Sequence, residues 1–183
     1  MARKETITKK DIQDAAFDLV CEEGVKNLTA RKLAVKIGCS TQPIFRVYQN
    51  MEELTLEIFE KSKKYFADFY NAYPKLETLP FLDLGLSYIS FAQKEPFLFQ
   101  ALFLTKERYD NTLYDLLNGS NMTVVKEINK AKELGVKDPG ALFMKMWIFI
   151  HGSACMVITG DYDLNKEQTK QLLFETYYGF IGK

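Results

Sequence analysis

The chain has 183 residues, 47% apolar and 26% charged, enough to bury one or two sizeable cores and too apolar for a disordered chain. Lys+Arg and Asp+Glu each number 24, and a formal charge of zero argues against a nonspecific polybasic binder. The distribution is less even: residues 1–50 hold nine Lys/Arg against six Asp/Glu, and the remainder holds 15 against 18. A mildly basic head on an acidic body is therefore expected, as in a compact nucleic-acid module.

The first ten residues are polar and no apolar targeting segment follows them, so no signal peptide is expected. Cys21, Cys39 and Cys155 are scattered without metal-ligand spacing, which suits a reducing, cytoplasmic location. The longest apolar stretch, Leu142–Ile158, is broken by Lys145, His151 and Ser153. It falls short of the roughly 20 apolar residues of a membrane span and reads as a buried helix.

In chain order, Thr8-x-x-Asp11 resembles a capping box opening a helix over 8–23, with Ile12, Ala16, Leu19 and Val20 as its inward stripe. Gly24 ends it. Residues 29–48 read as two short helices joined by a tight turn at Gly38. Thr29 caps the first, and Leu33, Ala34 and Ile37 recur at helical spacing. Ser40 is the expected cap of the second, with Pro43 in its first turn and Ile44 and Val47 or Tyr48 as core anchors. Thr41, Gln42 and Arg46 are left outside, the layout of a helix-turn-helix whose second helix enters a major groove. An ordinary helical hairpin with a solvated polar face has the same periodicity.

Asn50-x-x-Glu53 caps a long fourth helix reaching about Tyr73, before Pro74. Further helices are predicted over 80–94, 97–105, 107–117 and 122–134, with turn chemistry at Asn118-Gly119-Ser120-Asn121. Asp138-Pro139 starts the most apolar helix, to Ile158, and Asp163 or Asn165 caps the last, to about Phe180. No strand pattern appears, so the expected fold is all-α with about nine helices.

The series Ile12-x-x-Ala15-Ala16-Phe17-x-Leu19-x-x-x-x-Gly24, Leu28-Thr29-Ala30-x-x-Leu33-Ala34-x-x-Ile37-Gly38-Cys39-Ser40 and Ile44-Phe45-x-x-Tyr48-x-Asn50-x-Glu52-Glu53-Leu54 closely resembles the TetR family of transcriptional regulators. The resemblance runs from about Thr8 to Phe59, and its specificity lies in the ordered series. It implies a DNA-binding head over 1–50 (the family domain extends to about 65) and a ligand-binding, dimerising body over 51–183. It also implies an operator duplex as partner. Thr29 and Arg31 fall where the first reader helix meets backbone or groove edge, and Ser40, Thr41, Gln42, Pro43, Phe45, Arg46 and Tyr48 complete the expected contact set. Three positions depart from the family: Phe45 stands where Tyr is usual, Val47 near a usual His, and Met51 at a usual Lys. Each removes or weakens a phosphate contact, so weaker nonspecific binding is expected.

In the body, Pro96-Phe97-Leu98-Phe99 and Trp147-x-x-x-His151-Gly152 are similar to a TetR subgroup named for its Trp-His-Gly pattern. The family resemblance implies a homodimer through the last two helices, a repressor that binds a palindromic operator, and an effector site whose occupation releases it. An apolar or aromatic effector is expected against Tyr88, Phe91, Phe99, Phe103, Phe143, Met146, Trp147 and His151, each of which individually is an ordinary core residue.

Catalytic chemistry is not indicated. His151 and Cys155 share a helical face, but no third or fourth metal ligand accompanies them. Asp161-x-Asp163-x-Asn165 begins like a calcium loop, yet Lys166 and Leu172 occupy positions that need Gly and Glu. No cofactor and no metal are expected. The rival reading is a helical interaction protein of the same fold that has lost DNA reading, motivated by Phe45, Val47 and Met51.

Overall fold

The computed structural model describes residues 7–76 and 79–182, and among these the chain forms ten α-helices, one 3-10 turn and no strand. The helices are α1 (Lys9–Glu23), α2 (Ala30–Ile37), α3 (Gln42–Val47), α4 (Met51–Ala72), α5 (Leu82–Lys94), α6 (Pro96–Phe103), α7 (Leu113–Asn118), α8 (Thr123–Glu133), α9 (Pro139–Thr159) and α10 (Lys166–Ile181). They form two compact units: one of residues up to Tyr65 with Phe97–Tyr109, the other of Phe66–Pro96 with Asp110 onward. The first unit, called the head below, runs to Tyr65 and takes in Phe97–Phe103 of α6, far away in sequence.

Local chemistry sets most boundaries. Thr8 and Asp11 form a reciprocal capping box on α1, and Asn165 and Gln168 form another on α10. At α4, Asn50 Oδ1 accepts from Glu53 N at 2.9 Å while the Glu53 carboxylate accepts from Gln49 N at 2.8 Å. Two expectations moved. The helix predicted from Glu107 begins at Leu113, where Thr112 and Asp115 make a capping box. Just before it, Tyr109 and Asp110 hold positive φ angles of 47° and 63°, which no helix continues through. Likewise Ser40 does not cap α3; Thr41 is the N-cap and makes no side-chain hydrogen bond.

The head core is built from Ile12, Ala16, Leu19 and Val20 of α1, Leu33 and Ala34 of α2, Ile44 and Tyr48, and Leu54 and Ile58 of α4. Leu98, Phe99, Leu102 and Phe103 of α6 are also fully buried. Gly24 sits at φ +85°, and a Cβ there would stand 3.2 Å from the Phe97 ring, so both backbone and space require glycine.

In the body, every residue from Phe81 to Ile89 is buried, and α5 packs on α9 and α10. A helix buried on all sides in this way sits in the middle of a bundle, and its buried Asp83 and Ser87 are satisfied locally: Asp83 Oδ1 accepts from Leu76 N and Ser87 Oγ donates to Leu84 O. Gly85 sets the approach: a Cβ there would lie 3.0 Å from Ile150 Cδ1 and 3.1 Å from Leu173 Cδ1. Gly85→Val is therefore expected to overpack this junction and cost about 1–3 kcal/mol. Urea unfolding would show a lowered midpoint, whereas an unchanged midpoint would mean that α9 and α10 yield without cost.

α9 has the length and composition of a membrane span, but one of its faces is committed to the bundle. Leu142, Phe143, Met146, Trp147, Ile150, Ser153 and Ala154 are buried there. The opposite face is apolar and uncovered, with Met144 52%, Ile148 66% and Met156 47% exposed. Tyr178 and Phe180 of α10 are also exposed.

Candidate nucleic-acid interface

The two short helices α2 and α3 are held by their ends. Thr29 caps α2, its Oγ1 accepting from Lys32 N at 3.3 Å. Gly38 adopts the left-handed conformation at φ 77°, and Cys39 N donates to Ala34 O at 2.9 Å, closing α2 as a Schellman turn. The chain then turns straight into α3, whose Ile44 is fully buried. Burial of that side chain presents the opposite surface of α3 to solvent.

Ser40, Thr41, Gln42, Phe45 and Arg46 are all exposed around α3, and Pro43 is half-buried. Thr29 and Arg31 are exposed on α2. Tyr48 does not belong with them. It is 1% exposed, and its hydroxyl donates to Glu57 Oε2 at 2.7 Å. As placed, it is a core anchor of the α3–α4 junction rather than a side chain a duplex can reach. Val47 and Met51 are half-buried.

Charge pairing narrows the electrostatics further. Lys9 pairs with Glu57, Lys32 with Glu23, Lys36 with Glu22 and Lys61 with Asp14. These lysines are neutralised within the head. Arg31 and Arg46, by contrast, have no acidic partner among the described residues. Two unpaired guanidiniums therefore accompany a face of hydroxyls and one amide, a set suited to phosphate and base-edge hydrogen bonding.

Glu57, which sequence reading did not single out, fastens this arrangement from behind. It receives hydrogen bonds from Lys9, Gln13 and Tyr48. Partial burial pulls its carboxyl upward, but those donors outweigh it and hold the group below the ordinary carboxylate range. Tyr48 is pushed well above the usual phenol range, first by burial and then by its bond to Glu57. A depressed folded-state carboxyl stabilises above its unfolded pKa and ceases to do so as pH falls through its folded value. Head stability is therefore expected to drop on acidification below about pH 4.5, and Glu57→Gln should flatten that limb. Glu57→Ala should cost about 1–3 kcal/mol at neutral pH by orphaning the buried Tyr48 hydroxyl. Thermal melts from pH 3 to 7 check both; parallel acid limbs in wild type and Glu57→Gln would contradict them.

The residues expected to line an effector site are divided between the units: Phe99 and Phe103 lie in the head unit, and the other six in the body. Within the body, Tyr88 meets Trp147 edge-on at 4.9 Å between ring centroids, and the Tyr88 hydroxyl is 3.0 Å from His151 Nδ1. Tyr88, Phe91 and Met146 are fully buried and Phe143 and Trp147 nearly so, so these side chains pack as core. The broad concavity of the body lies elsewhere. It is an open groove of about 570 Å³ between the start of α9 and the end of α10, with Leu142, Lys145, Tyr177 and Phe180 in its wall. None of the eight expected residues lines it. Among the described residues no three His, Cys, Asp or Glu gather as metal ligands.

This all-helical architecture in two compact units is a TetR-like fold. No family model and no curated protein sequence matches the chain. Among solved structures it is similar to one described as a TetR-family transcriptional regulator from Vibrio parahaemolyticus. The TM-score is 0.64 at 20% identity, covering 92% of this chain and 96% of that one. It is also similar to a TetR-like transcriptional regulator from Rhodococcus sp. RHA1, with a TM-score of 0.62 at 14% identity and 96% of each chain covered.

Proposed function

We propose that the protein is a TetR-type transcriptional regulator, a repressor that binds a palindromic operator as a homodimer in the cytoplasm. The observation that carries this reading is the exposed face of Ser40, Thr41, Gln42 and Arg46 flanked by Arg31, with neither arginine paired to an acidic residue among the described residues. A catalytic role has no comparable support, and both similar structures are described as regulators.

The dimer is read from the uncovered stripe of Met144, Ile148 and Met156 on α9, with Tyr178 and Phe180 on α10. Gly152 lies within that stripe, and a Cβ there would touch nothing, so a second copy has room for close approach. Two-fold symmetry then makes the interface isologous, and the two copies of α3 meet successive major grooves about 34–36 Å apart.

Regulation would follow if an apolar or aromatic effector bound more tightly to the conformation in which that spacing is wrong. The Tyr88–Trp147–His151 cluster is the proposed site, with the Tyr88–His151 hydrogen bond as its polar handle. Because these side chains pack as core, the effector would have to displace some of them. α4 contributes residues to both units and is the proposed lever.

Selection from a random duplex library tests the reading. An enriched palindrome with half-sites about one helical turn apart is expected. Failure to enrich any sequence over the starting library would favour the interaction-protein reading, for which Phe45, Val47 and Met51 speak.

A further inference from the structure

Phe45 is 49% exposed in a face that is otherwise polar, between Gln42 and Arg46. Burial elsewhere would have gained the free energy of removing an aromatic ring from water. The helix already has its core anchor in the fully buried Ile44, and the Phe45 ring is left on the outside beside the polar groups of the same face. Phe45 has no hydroxyl and can offer a phosphate no hydrogen bond. In the major groove of a duplex, the apolar group at a base edge is the C5 methyl of thymine. Arg46 beside it and Arg31 on α2, neither with an acidic partner among the described residues, supply the charge complementary to a duplex.

Resting on the assignment of α3 as the recognition helix, we propose that Phe45 reads the C5 methyl of a thymine, making a 5-methylpyrimidine the preferred base at one position of each half-site. The ring thereby acts as a specificity element, not as a weakened phosphate contact. Affinity gained through it is independent of salt, because no counterion is released by an apolar contact.

The test uses the full-length protein and the duplex enriched from the random library. Each thymine is replaced in turn by deoxyuridine, which removes the methyl and leaves every hydrogen-bonding group in place. At one position per half-site the affinity is expected to fall about fourfold, the factor for burying one methyl group, and about 15-fold when both half-sites are changed. In Phe45→Ala the same replacement should have no effect, so that the cycle isolates the ring–methyl pair. The exposed position lets this variant fold, which a helical circular dichroism spectrum matching wild type verifies. No sensitive thymine in wild type, an enriched half-site lacking thymine, or an equal penalty in Phe45→Ala would each overturn the proposal while leaving α3 as the reader. No enriched duplex at all would overturn the assignment of α3, and this proposal with it.

Discussion

Replacing Gln42 and Arg46 together by alanine is expected to abolish sequence-dependent binding to the operator without unfolding the head. Both side chains are exposed, and α3 is held by Ile44 and by Tyr48 on Glu57, which the replacement leaves untouched. A good bidentate contact from Gln or Arg to a base edge contributes about 1–3 kcal/mol of discrimination. Removing two such hydrogen-bonded pairs from each of two half-sites costs, at the lower figure, about 4 kcal/mol, roughly a thousandfold in affinity. Arg46→Lys separates geometry from charge, since lysine keeps the charge but loses the planar fork. If lysine restores only nonspecific binding, Arg46 reads a base; if it restores the operator preference, Arg46 serves a phosphate. Unaltered operator affinity in the double variant would show that α3 is not the reader.

Ile148→Glu is expected to give a folded monomer that no longer binds its operator. Ile148 is 66% exposed, so a carboxylate there costs the isolated chain almost nothing. In the proposed dimer the same carboxylate would be buried without a partner, twice over because the interface is isologous. Each uncompensated charge costs several kcal/mol, so the dimer should weaken by more than about 100-fold. Sedimentation of wild type and variant at matched concentration reads this directly. Circular dichroism should remain superimposable, and operator binding should fall with the dimer. Wild-type sedimentation by Ile148→Glu would place the interface away from the middle of α9.

What was legible in the sequence follows the range of the interactions. The reader helices were readable because their determinants are local: the Thr8–Asp11 box, the Thr29 cap, the left-handed Gly38 and the Asn50–Glu53 pair lie within four residues of what they fix. The Thr112–Asp115 box is equally local, but the predicted start at Glu107 lies upstream of it, and the positive φ angles of Tyr109 and Asp110 that separate the two are not written in any residue pattern. Long-range facts were beyond pattern reading. α6 joins the head unit from across the 31 residues Phe66–Pro96 of the body. Periodicity offers Tyr48 as a core anchor and the family resemblance offers it as a duplex contact; only Glu57, nine residues on, shows which of the two its burial favours. A basic head of nine cations becomes selective only once α1 acids have neutralised Lys32 and Lys36. Aromatic clustering in the body was foreseeable from composition, whereas the division of Phe99 and Phe103 from the other six was not, because periodicity carries no information about which unit a helix joins.

The most direct test of the account is a fluorescence-anisotropy titration of an enriched palindromic duplex and of its scrambled counterpart, at two salt concentrations, with the stoichiometry read at saturation. The account predicts two chains per palindrome. It also predicts weakening with salt for both duplexes and a preference for the palindrome that persists at the higher salt, because base-edge contacts release no counterions. Equal affinity for the two duplexes, or one chain per site, would contradict it.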